Sequence, residues 1–115
     1  MIQTKLSLPQ NYDPRHVYPL ILINDGDLHH FNDFKEKAIL VGLLPENRLV
    51  DYTPWRATAI RSGAENFGGQ ADEYHNELFT NVLPELQSKY SIDTNKIFYG
   101  GYSLGGLAAV YSLYR

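Results

Sequence analysis

The stretch Gly100-Gly101-Tyr102-Ser103-Leu104-Gly105-Gly106 decides how the rest of this 115-residue chain is interpreted. A β-branched and aromatic run, residues 96–99, leads into it, and a small-residue helical pattern, residues 107–113, leaves it. A strand, a Gly-x-Ser-x-Gly turn and a helix in that order are typical of a nucleophile elbow, whose strained turn exposes the serine hydroxyl. Gly101 and Gly105 stand where a Cβ would collide with neighbouring backbone. The stretch therefore predicts that Ser103 is a nucleophile.

Two other glycine-rich motifs do not fit this stretch. A dinucleotide fingerprint requires Gly where Tyr102 stands, and a P-loop requires Lys and Ser or Thr where Leu107 and Ala108 stand. We therefore expect no nucleotide cofactor, and the sequence indicates no cofactor of another kind. The remaining alternative is a glycine-rich turn that only lets a helix pack closely on a sheet.

Composition restricts the class of protein and its partners. The chain is 43% hydrophobic and 20% charged, which is typical of one globular domain. The net charge is −3 and Lys and Arg are not clustered, so the sequence indicates no basic surface that would bind nucleic acid or an anionic membrane. The absence of Cys excludes disulfides, thiolate metal sites and a cysteine nucleophile. No apolar segment near the start resembles a signal peptide, so a cytoplasmic location is expected, although a signal peptide removed earlier would leave no trace.

Apolar runs alternate with helical patterns along the chain. Strands are predicted over residues 4–8, as an edge strand, and over residues 18–24, 38–44 and 96–99. A short helix is predicted over residues 28–37. This order predicts an α/β fold, a three-layer arrangement with a mostly parallel sheet, as one domain spanning residues 1–115.

The clearest helix covers residues 71–90. Tyr74, Leu78, Val82 and Leu86 recur every four residues and predict the buried stripe, which Phe79 and others widen. Pro84 lies inside this pattern, so we expect a kink there rather than an end. Before this helix, residues 46–70 are expected to be irregular and, at that length, functional. Within them Asp51 is expected to order its own loop, and Trp55 and Phe67 either line a cleft or pin the loop to the core.

Two predicted strands end at residues suited to catalysis. In an open parallel sheet, ligands gather at the carboxyl ends of the strands. Asp25, Gly26 and Asp27 follow one buried strand, and Ser103 follows the last, so these segments are expected to converge. A serine nucleophile also needs two backbone N–H groups aimed at the developing oxyanion. Leu104 N–H is the first candidate donor, and an N–H from the turn at Gly26 and Asp27 is the second.

Several motifs together resemble the esterase D and enterochelin-esterase-like family of α/β-hydrolases. They are Tyr18-Pro19-Leu20-Ile21-Leu22-Ile23-Asn24-Asp25-Gly26, the segment 48–55 with Asp51-Tyr52-Thr53-Pro54, Gly68-Gly69 before the Tyr74 helix, and residues 101–106. They occur in the family's order over most of the chain. The resemblance implies hydrolysis of carboxylic esters, such as siderophore, feruloyl and small acyl esters.

Site residues follow from the resemblance by position. It implies that Ser103 is the nucleophile and that the N–H groups of Leu104 and Asp27, or of Gly26 in place of Asp27, form the oxyanion hole. Gly101, Tyr102 and Gly105 would form the nucleophile elbow. Residues 48–55, including Arg48 and Trp55, would line the substrate cleft, and His29 is a further candidate for a contact with the ligand there. No metal is implied.

The end of the sequence departs from the family pattern. In α/β-hydrolases an acid and then a histidine follow the serine, yet the twelve residues after Ser103 contain neither. The helical pattern also reaches Arg115 without a residue that would end it. We therefore expect the N-terminal portion of a hydrolase, ending in the helix after the elbow, with little activity alone.

Upstream histidines offer weaker alternatives. His29 or His30 could approach Ser103 as a base, but from an unusual side. Asp25, Asp27, His29 and His30 together could hold a metal ion, but they lack a diagnostic spacing. His16 and His75 are expected to be solvated.

Two functions remain open at this stage. The first is a serine esterase that forms an acyl-enzyme on Ser103 with a small-molecule ester. The second is a non-catalytic α/β domain that binds a ligand or partner in the same cleft. In either case the strand over residues 96–99 would be an outer strand, so self-association through its edge is expected.

Overall fold

A computed structural model of the chain describes residues 2–26, 28–47, 51–52, 56–57, 67–101, 106, 108–109 and 112, without the side chains of 29, 30, 56, 57, 67 and 68. The strands are β1 (Gln3–Ser7), β2 (Tyr18–Asn24), β3 (Ile39–Leu44), β4 (Arg56–Ala57), β5 (Phe67–Gly68) and β6 (Ile92–Gly100). A 3₁₀ helix covers Leu28–Phe34. The helices are α1 (Ala71–Glu77) and α2 (Leu83–Lys89), joined by the π-helical segment Leu78–Val82.

Four strands form one mixed sheet in the order β1-β3-β2-β6. β2 is parallel to both β3 and β6, and only β1 is antiparallel to its neighbour. The predicted α/β class and mostly parallel sheet are therefore confirmed, as is the placement of β1 at an edge. β6 is the other outer strand among the described residues, with Phe98 57% exposed on it.

The continuous apolar run of β2 reflects burial on both faces of the sheet. Leu20, Leu22 and Ile23 are inaccessible to solvent, which is typical of a central parallel strand. One face of the sheet packs against the helical segment 71–89. The buried cluster there includes Leu20, Leu22, Ile39, Val41, Leu43, Tyr74, Leu78 and Leu86. Each such aliphatic side chain contributes about 1.5–3 kcal/mol relative to an exposed one.

Pro84 is accommodated by a wider helical turn. Proline lacks the N–H that would bond to the carbonyl of Thr80, and its ring crowds that carbonyl. The π-helical segment lies directly before it, and the N–H of Leu83 bonds to the carbonyl of Leu78, five residues back. The helix continues past Pro84, as predicted, and the irregularity there is a π-helical segment that ends at Val82, two residues before the proline.

The segment before α1 is less irregular than predicted. β4 and β5 form an antiparallel pair within residues 46–70. Asp51 orders its surroundings as expected, because its Oδ2 accepts a hydrogen bond from the N–H of Asn47 at 3.2 Å, while Asp51 N–H donates to the Asn47 carbonyl at 2.8 Å. Short-range pairing of this kind leaves little trace in hydrophobic periodicity.

Gly42 lets the turn after β2 lie directly over β3. A Cβ at residue 42 would stand 2.6 Å from the Cα of Gly26, closer than packed atoms allow. We expect Gly42→Ala to lower the free energy of unfolding by about 1–3 kcal/mol, because backbone must move to admit the methyl group. Urea unfolding measures this change.

Gly100→Ala is the matched control. A Cβ at residue 100 would meet nothing within 4 Å, so this substitution should change the free energy of unfolding by less than about 0.5 kcal/mol. Equal losses in the two variants would contradict the close approach of Gly42 and Gly26.

Candidate functional site

The carboxyl ends of β2 and β6 lie side by side. Their described pairing ends with Ile23 opposite Gly100. Asp25 and Gly26 therefore leave the sheet beside Gly101, which leads into the Gly-x-Ser-x-Gly motif. This edge is where an open parallel sheet places ligands.

The turn after β2 has an unusual backbone. Asp25 and Gly26 have φ angles of 66° and 70°, in the left-handed region. This region costs a residue with a Cβ about 1 kcal/mol or more, although Asp tolerates it better than most. The carbonyl of Gly26 accepts a hydrogen bond from Leu28 N–H at 2.8 Å. The chain thus reverses sharply within two residues of the sheet.

A buried polar cluster lies behind this turn. Its members are Asn24, Tyr52, Tyr74, His75 and Tyr99. Asn24 is wholly buried and its amide joins two tyrosines: Oδ1 accepts from Tyr74 Oη at 2.8 Å, and Nδ2 donates to Tyr99 Oη at 2.9 Å. The hydroxyl of Tyr99 also lies 3.2 Å from Asn24 Oδ1. The last side chain of β2 is thereby tied to the helix and to β6.

The other two members extend the buried polar cluster on either side. Tyr52 Oη accepts a hydrogen bond from Asp25 N–H at 2.9 Å, so it holds the turn itself. His75 Nε2 lies 3.0 Å from Tyr99 Oη, and the tautomer of the ring sets which atom donates. Edge-on ring contacts join Tyr52 to Tyr74 and His75 to Tyr99, at 5.2 and 5.6 Å between centroids.

Burial keeps the three tyrosines of the cluster neutral. Desolvation raises the pKa of Tyr52, Tyr74 and Tyr99 well above 10.0, the value of an unperturbed tyrosine. The charge of Asp25 adds to this increase in the pKa of Tyr52 and of Tyr99. Each phenol therefore remains a hydrogen-bonding hydroxyl at neutral pH rather than a base.

Gly106 brings the following helix close to the end of β6. Gly106, Ala108 and Ala109 are helical, as the sequence predicts. A Cβ at residue 106 would stand 3.1 Å from the carbonyl oxygen of Gly101. A close strand–helix approach across the motif is required of a nucleophile elbow, and it is equally expected of a turn with only a packing role.

A groove of about 480 Å³ runs along β6 and this helix. Its walls include Phe98, Tyr99, Gly101, Gly106 and Ser112. The lining is mostly apolar, and the groove extends from the last residues of β6 to Gly101. A small organic molecule could be accommodated there beside the motif.

Most of the predicted site residues lie outside the described part of the chain. Gly26 and Gly101 are within it, at the neighbouring strand ends. Ser103, Leu104, Asp27, Tyr102, Gly105, Arg48 and Trp55 are outside it, as are the side chains of His29, His30 and Phe67. Their roles stay predictions.

One histidine was assigned wrongly from the sequence. His75 is only 1% exposed, not solvated, because Ala71, Tyr74, His75 and Leu78 are all buried at the spacing of one helical face. Phe79, expected in the buried stripe, is 43% exposed. His16 is exposed near Asp13, as predicted.

The described residues form neither a metal-binding cluster nor a membrane-spanning helix. None of their His, Asp and Glu side chains forms a group of three or more suited to a metal ion. No helix there combines the length and apolarity needed to cross a membrane.

A protein of similar sequence occurs in Bacillus subtilis strain 168. It is YbbA, described as uncharacterized, which is 26% identical over 111 residues, with 85% of this chain and 44% of that protein covered.

Solved structures share the fold. The BES protein from Bacillus cereus superposes with a TM-score of 0.79 and 23% identity, covering 98% of this chain and 52% of that one. An IroE-like serine hydrolase from Shewanella oneidensis superposes with a TM-score of 0.78 and 23% identity. The match covers 98% of this chain and 46% of the Shewanella protein. At this identity the likeness shows the fold, which confirms the predicted α/β-hydrolase arrangement. The chain spans about half the length of the proteins it matches.

The family comparison agrees with the motifs and with the strand–turn–helix order described above. A family model described as "Putative esterase" matches residues 1–115, and the chain therefore belongs to this esterase family.

Proposed function

We propose that this chain carries the nucleophile and oxyanion hole of a serine esterase acting on small-molecule carboxylic esters. The observation that carries the proposal is the adjacency of two strand ends: Ile23 pairs with Gly100, so the turn at Asp25 and Gly26 lies beside the segment that leads to Ser103. Membership of the esterase family supports it. The name of the Shewanella protein, a serine hydrolase, supports the choice of nucleophile.

The chemistry assigned to the site is acyl transfer. Ser103 Oγ attacks the acyl carbon, and the carbonyl oxygen becomes an oxyanion that accepts hydrogen bonds from Leu104 N–H and from an N–H of the Gly26–Asp27 turn. The bond to the alkoxy group then breaks, and the alcohol leaves with the proton that the serine loses. Water hydrolyses the acyl-enzyme, releasing the acid and restoring the hydroxyl.

Proton removal from Ser103 needs a base, and the usual one of this fold is missing, since no acid or histidine follows Ser103 in this sequence. Tyr52, Tyr74 and Tyr99 are protonated at neutral pH and so cannot accept the proton of the serine. We therefore expect this chain to turn over esters slowly by itself.

Self-association through the outer strand β6 and a cytoplasmic location stay predictions.

Fluorophosphonate labelling tests the nucleophile. The reagent phosphonylates an activated serine with loss of fluoride, and mass spectrometry locates the modified residue. We expect slow formation of a single adduct on Ser103, because the oxyanion hole assists the attack even where no base does, and complete loss of labelling in Ser103→Ala, because removing the nucleophile removes the reaction.

Ser112→Ala is the control for this experiment. Ser112 lies in the same helical region, and its hydroxyl donates to the carbonyl of Ala109 at 2.7 Å. This variant should label like the unsubstituted chain. An adduct elsewhere, or an unlabelled chain, would contradict the proposed esterase and favour a non-catalytic binding domain.

A further inference from the structure

Tyr52 contacts the turn after β2 at its most strained residue. Its hydroxyl oxygen lies 2.9 Å from the N–H of Asp25, whose φ is 66°. A partly buried hydrogen bond of this kind stabilises one backbone conformation over its alternatives. Tyr52 is wholly buried, and its ring packs edge-on against Tyr74 at 5.2 Å. The packing of the Tyr52 ring therefore fixes the position of its hydroxyl.

Asn24 fixes the other side of the same turn. Sheet pairing between β2 and β6 is described only as far as Ile23 and Gly100. The Asn24 amide continues the link by side-chain hydrogen bonds, to Tyr99 on β6 and to Tyr74 on α1. Tyr99 stands four residues before Ser103 in the sequence. The buried polar cluster thus connects the turn after β2 to the strand that carries the motif.

We propose that Tyr52 and Asn24 are positioning residues that hold Asp25 in place so that the backbone N–H groups after it, those of Gly26 and Asp27, face the site of Ser103. This inference rests on the proposed esterase function. Neither side chain touches the ester. They act through the backbone of the turn, where a displacement of about 1 Å can cost a hundredfold in rate.

Tyr52→Phe tests this role with little change in shape. The variant removes the acceptor of Asp25 N–H and keeps the ring. We expect the maximal rate of phosphonylation of Ser103 to fall about tenfold or more, because the phosphoryl oxygen uses the oxyanion hole and loss of one donor costs about 10²–10³. The concentration of fluorophosphonate that gives half the maximal rate should stay the same, since Tyr52 does not bind the reagent.

Tyr12→Phe provides a matched control for the loss of a hydroxyl. Tyr12 Oη also accepts a backbone N–H, that of Ser91 at 2.9 Å, but Tyr12 lies before β2 and Ser91 before β6, at the opposite ends of these strands from the turn. A merely structural effect would slow both variants equally, and that result would overturn the inference. A tenfold loss confined to Tyr52→Phe would support it.

Amide hydrogen exchange separates this inference from the proposed function. In Tyr52→Phe the peptide containing residues 24–28 should exchange about tenfold faster, while Tyr12→Phe should accelerate only the peptide around Ser91. If the unsubstituted chain is not labelled, the esterase proposal fails, and exchange alone then decides whether Tyr52 holds the turn. Unchanged exchange at residues 24–28 would overturn the inference in either case.

Discussion

Asn24→Leu is expected to lower the free energy of unfolding by about 2–4 kcal/mol, among the largest losses for one substitution in this chain. Leucine has nearly the shape of asparagine, so little cavity forms and little room for water appears. The hydroxyls of Tyr74 and Tyr99 lose the amide that lies 2.8 and 2.9 Å from them. The loss costs about 1–3 kcal/mol at the Tyr74 hydroxyl and less at the Tyr99 hydroxyl, which keeps His75 Nε2 at 3.0 Å. The gain from burying leucine offsets only part of the sum.

A double-mutant cycle with Tyr74→Phe shows whether this loss comes from the hydrogen bond. Tyr74→Phe alone leaves Asn24 Oδ1 without its 2.8 Å donor. When residues 24 and 74 are both apolar, neither carries a polar group that has lost its partner in this pair. The free energy of unfolding of the double variant should therefore fall by about 1–2 kcal/mol less than the sum of the two single losses. Urea unfolding of the four chains measures this coupling energy.

The control cycle combines Asn24→Leu with Tyr12→Phe. Tyr12 makes its hydrogen bond with Ser91 and shares no partner with Asn24. These losses should add within about 0.5 kcal/mol. If the losses in unfolding free energy also added in the cycle with Tyr74→Phe, the hydrogen bond between Asn24 and Tyr74 would carry no coupling energy, and the proposed origin of the loss would be wrong.

The sheet was largely predictable because its signals are local. The run Leu20-Ile21-Leu22-Ile23 is too short for a helix and is bounded by turn residues, and β2 has the predicted bounds. The turn after β2 was also predictable, since Asp25-Gly26 favours a sharp reversal. The positive φ angles of Asp25 and Gly26 agree with such a reversal.

The buried polar cluster was not predictable in the same way. Asn24, His75 and Tyr99 are polar or amphipathic residue types, and the periodic pattern counts only apolar ones. His75 lies on the buried face of α1, where the polar partner of its ring is Tyr99 Oη at 3.0 Å, and those residues are 24 positions apart. Partners that distant leave no periodic signal in one sequence. The useful hint was the position of Asn24, the polar residue that ends a wholly apolar strand.

Alkaline pH should destabilise this protein steeply, because the buried Tyr52 and Tyr74 and the partly buried Tyr99 resist ionisation in the fold. In the unfolded chain a tyrosine titrates near 10.0, whereas desolvation raises the pKa of Tyr52, Tyr74 and Tyr99 far above it in the folded state. The folded state therefore binds more protons than the unfolded state above that pH. Stability from these groups is complete below about pH 9 and is lost as pH rises past about 10.

The expected slope is about 1.4 kcal/mol per pH unit for each tyrosine, or about 4 for the three together. Urea unfolding at pH values between about 8 and 11 measures it, and tyrosinate absorbance should increase together with loss of structure. Tyr74→Phe removes one of the three groups and should reduce the slope by about 1.4 kcal/mol per pH unit. An unchanged slope in this variant would mean that Tyr74 ionises in the folded protein, which its burial between α1 and the sheet and its hydrogen bond to Asn24 oppose.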